Sequence, residues 1–407
     1  MSGLLPFSAA LSQLLAGVEP RPSEQVPIDQ CAGRVLAEPV VARLTQPPFD
    51  AAAMDGYAIR WSDLHQPWRV VGTSAAGHGW GGTLGPGEAV RIFTGAPLPA
   101  GAEVIVVQEE VASSGDSARL AGEGPPRIGA HIRPKGQDFA AGRVLIDAGQ
   151  RLGAAALGLA AAGGNGKLAI VRRPRVELIS TGDELVQPGE TPGPGQIVSA
   201  NPAMLAALLR SAGAQVHDPG IIPDNRAALA DALRGADADL IITIGGASVG
   251  DHDLVVPVLR ELGAELDFWK IALRPGKPLL AGRLPEQLGA TRILGLPGNP
   301  VSAFVTALLF AVPLVSRMAG REHALPMETL PLAVPLPANG NRRDHLRAKR
   351  TLTATGAGAE AFARQDSALL SLLAQAELLI IREPHAPAAV VGDLVTCIAL
   401  DMFHSVF

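Results

Sequence analysis

The stretch whose reading decides the fold is Leu240-Ile241-Ile242-Thr243-Ile244-Gly245-Gly246-Ala247-Ser248-Val249-Gly250-Asp251-His252-Asp253. An apolar run feeds into a loop of three glycines, one serine and two aspartates, and Leu254-Val255-Val256 resumes the apolar pattern. The run 240–244 reads as a buried strand, and the glycines read as the turn that leaves it.

The same alternation spreads outward from that strand. Residues 176–180 read as a strand. Residues 202–212 read as a helix with proline near its first turn. Residues 226–234 read as a helix leading into 240–244. Residues 293–296 read as a strand with a helix from about Val301. Strand and helix alternating from 176 to about 320 predict a doubly wound parallel sheet.

The flanks follow other patterns. Residues 8–17 have helical spacing with a glycine stop. Residues 26–45 read as a turn, a short helix and an extended piece. From 47 to about 140, short β-like runs at 69–71, 89–93 and 104–107 alternate with Gly/Pro turns, as in a small β-rich lobe. Residues 149–165 read as a connector with a short helix. After Pro326 the pattern is β again, with strands at 332–334, 378–381 and 394–400, as in a small barrel or sandwich. The fold class expected is therefore multidomain α/β plus β: a central doubly wound parallel sheet, a β-rich lobe, a connector and a C-terminal β-barrel.

Composition narrows the function classes. The 407 residues are long enough for two to four domains. Hydrophobic residues at 47% and charged residues at 18% describe a globular chain, and 4% aromatics require aliphatic cores. The net charge is −5, and the only dense basic stretch is 342–350, which sets nucleic-acid binding aside. Cys31 and Cys397 match no metal or redox spacing and read as free thiols. The N-terminus has no basic signal-peptide region. The apolar run 301–315 is interrupted by Ser302, Thr306 and Pro313 and falls short of a membrane span. The expectation is a soluble, cytoplasmic protein.

Ligands of an open parallel sheet sit beyond the carboxyl ends of its strands. Three polar loops follow strands here and should share one sheet edge: 180–190, 245–253 and 295–302. In the second, Gly245 and Gly246 free backbone N–H groups and Ser248 adds a donor, as an anion-binding loop requires. Asp251 and Asp253 beside such a loop suggest a bridging Mg²⁺. The competing reading is that Asp251 caps the following helix. The third loop, Pro297-Gly298-Asn299-Pro300, opens a helix whose dipole favours an anion, or is only a turn. The first carries Asp183 and Glu184, which also suit a plain helix cap. Lys270, Arg274 and Lys277 add three cations in a chain with only five lysines. Residues 47–58, with Asp55-Gly56 and the sole tyrosine Tyr57, contain a turn signal and no decisive chemistry.

Together these pieces resemble the molybdopterin molybdenumtransferase (MoeA) family, whose eukaryotic relative is the C-terminal domain of gephyrin. The matching segments are PPFDAAAMDGYA (47–58), FTGAPLPAGAEVIVVQEE (93–110), STGDEL (180–185), IGGASVGDHD (244–253), RPGKP (274–278) and GLPGNPVSA (295–303). The resemblance implies an elongated four-part subunit. A connector would span 25–46 with 141–175, a lobe 47–140, an α/β domain 5–24 with 176–322, and a C-terminal barrel 323–407. The α/β domain would share its fold with molybdopterin adenylyltransferases.

The resemblance further implies a homodimer, with the lobe of one subunit closing a cleft on the α/β domain of the other. The implied reaction places molybdenum from molybdate on adenylylated molybdopterin and releases AMP, with Mg²⁺ in support. Asp55, Thr94, Asp138, Glu184, Asp224 and Asp253 would be catalytic. Glu184, Asp251 and Asp253 would hold metal. Gly245, Gly246, Ser248, Lys270, Arg274, Lys277, Pro297, Gly298, Asn299, Ser302, Arg347 and Ser367 would bind the pterin nucleotide or molybdate.

Implied partners are a molybdopterin adenylyltransferase and molybdoenzyme clients or their chaperones, with no nucleic acid and no membrane. Departures from the family pattern are Ala51 and Ala52 where polar residues are usual, and Arg274 where lysine is usual. Asp366 stands where glycine is common and His345 where an aromatic is common. Adenylyl transfer, a non-catalytic cofactor-binding scaffold and a nucleotide-binding regulator are the competing functions.

Overall fold

The computed structural model describes residues 4–245, 254–353 and 356–401, apart from the side chains of Phe268 and Trp269. The chain divides into two compact units, 25–170 and a second made of 1–24 with 171–407.

In the unit 25–170, a six-stranded sheet contains Gly56–Ile59, Trp68–Ser74, Glu88–Ile92 and Val104–Val107. Strand alternation splits its residues between two small cores. Val104 and Val106 pack with Ile59, Trp68 and Ala89, while Ile105 packs with Ala52, Ala58, Ile92 and Ala96 on the opposite face. Ala51 and Ala52 are buried (5% and 0% exposed). A separate core around Cys31, Leu36, Leu152 and Ile170 holds the helix Ala154–Ala162.

In the other unit, the central sheet contains β1 (Arg175–Thr181), β2 (Gln215–His217), β3 (Ile221–Ile222), β4 (Leu240–Ile244), β5 (Glu265–Lys270), β6 (Pro278–Arg283) and β7 (Arg292–Leu296). The path is β2-β1-β4-β7-β6-β5, with β3 on the end of β1. Strands β1 to β4 and β7 pair in parallel, as their alternation with helices predicts. Both neighbours of β6 run antiparallel to it, so the sheet is mixed at that edge.

Strand β4 is buried on both faces. Leu240, Ile242 and Ile244 join the core formed with helices α1 (Phe7–Leu15) and α2 (Asn201–Ser211) and the long helix Pro300–Met318. Ile241 joins the opposite core, under α3 (Arg226–Gly235) and α4 (Val255–Glu261).

Pro300–Met318 corrects one expectation: its 19 residues are long and apolar enough to cross a membrane. They are instead the central core helix, 94% buried over their most apolar window. A π-type segment, Ala307–Ala311, widens the helix just before Pro313, whose ring removes an N–H from the ladder.

The C-terminal strands are Met327–Pro331, Arg343–Thr353, Gly356–Ala361, Leu378–Arg382 and Leu394–Ala399. The first falls earlier than the expected 332–334. The sheet closes on itself as a barrel where Leu332 bridges Ala359 and Ala333 N–H donates to the Ala359 carbonyl at 2.9 Å. Leu332, Ala348, Ile380 and Cys397 fill its interior. Both cysteines are buried free thiols, and burial pushes the Cys397 thiol up to about 11.

Candidate functional site

The sheet topology brings four chain segments to one edge. Strands β1, β4 and β7 end there. So does β5, because two antiparallel steps restore its direction to that of β7. The segments are 182–184, the chain from Gly245, the 271–277 connection between β5 and β6, and 297–300.

At the first segment, Gly182 has φ +147°, and a Cβ on it would lie 2.5 Å from Glu184 Oε2. The positive φ is what favours glycine here, and the exposed Glu184 carboxylate folds back over it. Strand β3 pairs with the last residues of β1, so exposed Asp224, two residues past β3, belongs to the same edge. The adjoining Asn225 caps α3 by accepting from Ala228 N–H at 2.8 Å.

The second and third loops lie against each other. Gly245 (φ +87°) donates its N–H to the Leu296 carbonyl at 3.0 Å. The Asn201 side chain, at the start of α2, donates to the Gly298 carbonyl at 2.7 Å. A Cβ on Gly298 would stand 3.9 Å from the Gly245 Cα. Gly298 and Asn299 are exposed, Pro297 is half-buried and Ser302 is buried one turn into the helix. Gly246, Ser248, Asp251 and Asp253 lie outside the described residues.

The fourth segment carries the cations. Lys270, Arg274 and Lys277 are exposed. The turn between them is held by Ile271 N–H donating to the Lys277 carbonyl at 2.8 Å and by Gly276 packing on the long helix. A Cβ at Gly276 (φ +100°) would come within 2.3 Å of Thr306 Oγ1. Among the described residues Lys270 and Lys277 make no ion pair. Arg274 does: its Nε donates to Asp344 Oδ1 at 2.7 Å, and Nη2 pairs with Oδ2.

The strand Arg343–Thr353 therefore reaches the edge, and it does so twice. Arg347 is 1% exposed. Its guanidinium donates to the carbonyls of Leu369 (3.0 Å) and Asp366 (2.9 Å), and Gln365 Oε1 accepts from its backbone N–H (3.0 Å). It thus holds the 364–369 loop from inside, and burial lowers its pKa. That loop delivers Ser367, whose carbonyl accepts from Val301 N–H at 3.1 Å, in the first turn of the helix. The structure thus brings Ser367 to the edge and spends Arg347 on placing it.

In the lobe, Asp55 and Thr94 meet. Asp55 Oδ1 accepts from both the backbone N–H and the hydroxyl of Thr94, each at 2.7 Å. These bonds, the backbone one foremost, lower the Asp55 pKa. Arg91 braces the turn: it donates to the Gly56 carbonyl at 2.8 Å and lies between the rings of Tyr57 and Phe93. Asp138 is placed separately, its N–H donating to the Gln46 carbonyl at 3.1 Å.

No three His, Cys, Asp or Glu side chains converge as a metal set among the described residues. Glu184 offers the hard oxygen chemistry that Mg²⁺ takes.

Sequence reasoning missed Asp344, Asn201 and Arg91. Asp344 had a visible signal, as the lone carboxylate in the basic run 342–350.

Fold and edge together define a class: an α/β chain whose parallel-sheet edge carries exposed cations and glycine turns, braced by a C-terminal barrel. Family models narrow it. Residues 5–164 match the MoeA N-terminal region (domain I and II), 177–317 a probable molybdopterin binding domain, and 329–400 the MoeA C-terminal region (domain IV). A molybdopterin molybdenumtransferase of Haemophilus influenzae is 37% identical over 325 residues, 79% of each chain. One from a Nostoc species is 40% identical over 297 residues, covering 71% of this chain and 67% of the relative. A solved structure of a molybdopterin biosynthesis MoeA protein from Pyrococcus horikoshii superposes with a TM-score of 0.82 at 30% identity, covering 98% of this chain and 99% of that one. The chain belongs to the MoeA family.

Proposed function

We propose that this chain is a molybdopterin molybdenumtransferase: it transfers molybdenum from molybdate to the dithiolene of adenylylated molybdopterin and releases AMP. The observation that carries the reading is the convergence of exposed cations, glycine-bearing strand ends and the exposed Gly298-Asn299 turn on one sheet edge. That is the arrangement a pyrophosphate and an oxyanion need. The names of the relatives agree with it.

The Gly245 N–H, expected to be free for an anion, is spent on the Leu296 carbonyl, so in this reading Gly245 supplies the turn and the exposed backbone at Gly298 and Asn299 cradles phosphate. Lys270, Arg274 and Lys277 offset the charge of phosphate and molybdate. Glu184 and Asp224 order water on the attacked side, with Gly246, Ser248, Asp251 and Asp253 completing the loop. Mg²⁺, held by Glu184, Asp251 and Asp253, supplies charge neutralisation when bound. Asp55, kept ionised by Thr94, closes the site together with Asp138 from the lobe of a second copy, so the working unit is a homodimer, placed in the cytoplasm. A molybdopterin adenylyltransferase would deliver the substrate.

The test is AMP release from adenylylated molybdopterin with Mg²⁺, with and without molybdate. Molybdate-dependent release is expected. Tight pterin binding with no release under any oxyanion would move the chain to the scaffold class. Asp253→Ala should abolish insertion while leaving the pterin nucleotide bound. Unchanged insertion would remove Asp253 from the mechanism.

A further inference from the structure

The pairing of Arg274 with Asp344 gives the C-terminal barrel a place in this site. Backbone pairing sets the two residues opposite each other. Leu273–Arg274 runs parallel to the start of the barrel strand in the register Leu273↔Arg343 and Arg274↔Asp344. Arg343 N–H donates to the Ala272 carbonyl at 2.8 Å. The Asp344 side chain is 4% exposed and that of Arg274 is 53% exposed. Both Asp344 oxygens are taken by one edge of the guanidinium, through Nε and Nη2. Nη2 also reaches Asn339 Oδ1 at 3.4 Å. Nη1 has no partner among the described residues.

The arrangement is asymmetric in a useful way. A guanidinium has five N–H donors in a rigid plane, so gripping one edge fixes the direction of the other. An ammonium in the same place would present no fixed second edge. The carboxylate is buried, so its grip is little screened by salt. Asn339 locks the same corner: its Nδ2 lies 2.8 Å from the Arg342 carbonyl and 2.9 Å from the Arg382 carbonyl.

We infer that Asp344 is a positioning residue for the transfer reaction: it aims the free edge of Arg274 at the substrate anion. The inference rests on the proposed function for its kinetic test and on geometry alone for its spectroscopic one. It also makes a prediction of sign. If Asp344 were only a nearby negative charge, removing it would make the edge more positive, and the KM for molybdate would fall. If it positions Arg274, the KM rises although the net charge has become more favourable.

The experiment compares wild type, Asp344→Asn, Arg274→Lys and the double variant, each checked for folding by thermal unfolding. AMP release is measured against molybdate concentration. The Arg274 Nε–H resonance is followed by ¹⁵N NMR in the full chain. The expected result for Asp344→Asn is a KM for molybdate raised about tenfold with kcat changed less than about threefold. In the Arg274→Lys background the same change should have little further effect. The Nε–H signal, sharp and protected in wild type, should broaden or exchange rapidly in Asp344→Asn.

A lowered or unchanged KM in a folded Asp344→Asn would overturn the inference. So would equal losses in both backgrounds, which mark a purely structural role. If wild type releases no AMP with molybdate, the proposed function fails. The NMR comparison then decides the inference alone: an unaltered Nε–H signal refutes it.

Discussion

His345 is 2% exposed, and neither ring nitrogen has a hydrogen-bond partner among the described residues. Burial, with a lesser push from the Arg343 charge, lowers its pKa to about 3. The imidazole is therefore neutral in the folded chain at every pH where the unfolded chain begins to protonate. Between about pH 6.5 and 3 the unfolded state binds the extra proton, so stability falls as pH falls. The slope is at most about 1.4 kcal/mol per pH unit from this group. His345→Phe should remove that acid sensitivity and stabilise the protein by about 1–3 kcal/mol, because two buried polar atoms without partners among the described residues are removed. Urea unfolding of both proteins across that pH range measures it. An unchanged pH dependence would show that other groups dominate. At the same scale, Thr94→Ala should raise the Asp55 pKa, since both bonds that lower it come from Thr94, one of them from its hydroxyl. A carboxylate titration followed by NMR reads this directly.

Among the elements, the connection 271–277 is fixed against the core helix at Gly276. Gly276→Ala drives a methyl into Thr306 on the core helix and strains a left-handed backbone. It should cost about 2–4 kcal/mol and disturb Lys277 with it. A thermal shift within experimental error of wild type would mean the turn can move off the helix.

The same connection shows what could be read from the sequence. The strands at 240–244 and 293–296 were legible because each is a continuous apolar run between turn signals. Helix α3 was legible from its spacing. The hairpin of β5 and β6 was not, because Lys270 and Pro278 at its ends look like loop chemistry. The strand Arg343–Thr353 was hidden for a related reason: its Arg, Asp, His and Lys residues mimic a solvated basic run. The burial of Asp344 and Arg347 within it goes with partners at 274 and 364–369, distant in the chain. Pairwise geometry of that kind leaves no periodicity. For the site, the glycine loops, the cations and Arg347 announced themselves, while Asp344, which grips Arg274, did not, and the part Arg347 plays in holding the 364–369 loop could not be read from its position.

At the scale of the molecule, barrel and sheet share one core. Leu373, Leu379, Ile398 and Leu400 from beyond residue 370 pack in the same cluster as Leu205, Ile242 and Phe310. Sheet and barrel within 171–407 should therefore unfold in one cooperative transition, and truncation after residue 322 should leave an aggregating chain rather than a free-standing α/β domain. Hydrogen exchange by mass spectrometry would show matched opening rates for β4 and for Leu378–Arg382. Separate rates would divide the core.

The helix Pro300–Met318 has a further consequence during synthesis. As it leaves the ribosome it is a 19-residue greasy segment, the kind that targeting machinery recognises. Its chaperone is the polypeptide already made. The helix Phe7–Leu15, the strands up to Arg292–Leu296 and the helix Asn201–Ser211 all precede it in translation, and they share its core. A circular permutant that begins at Pro300 would keep the fold's contacts but expose that segment first.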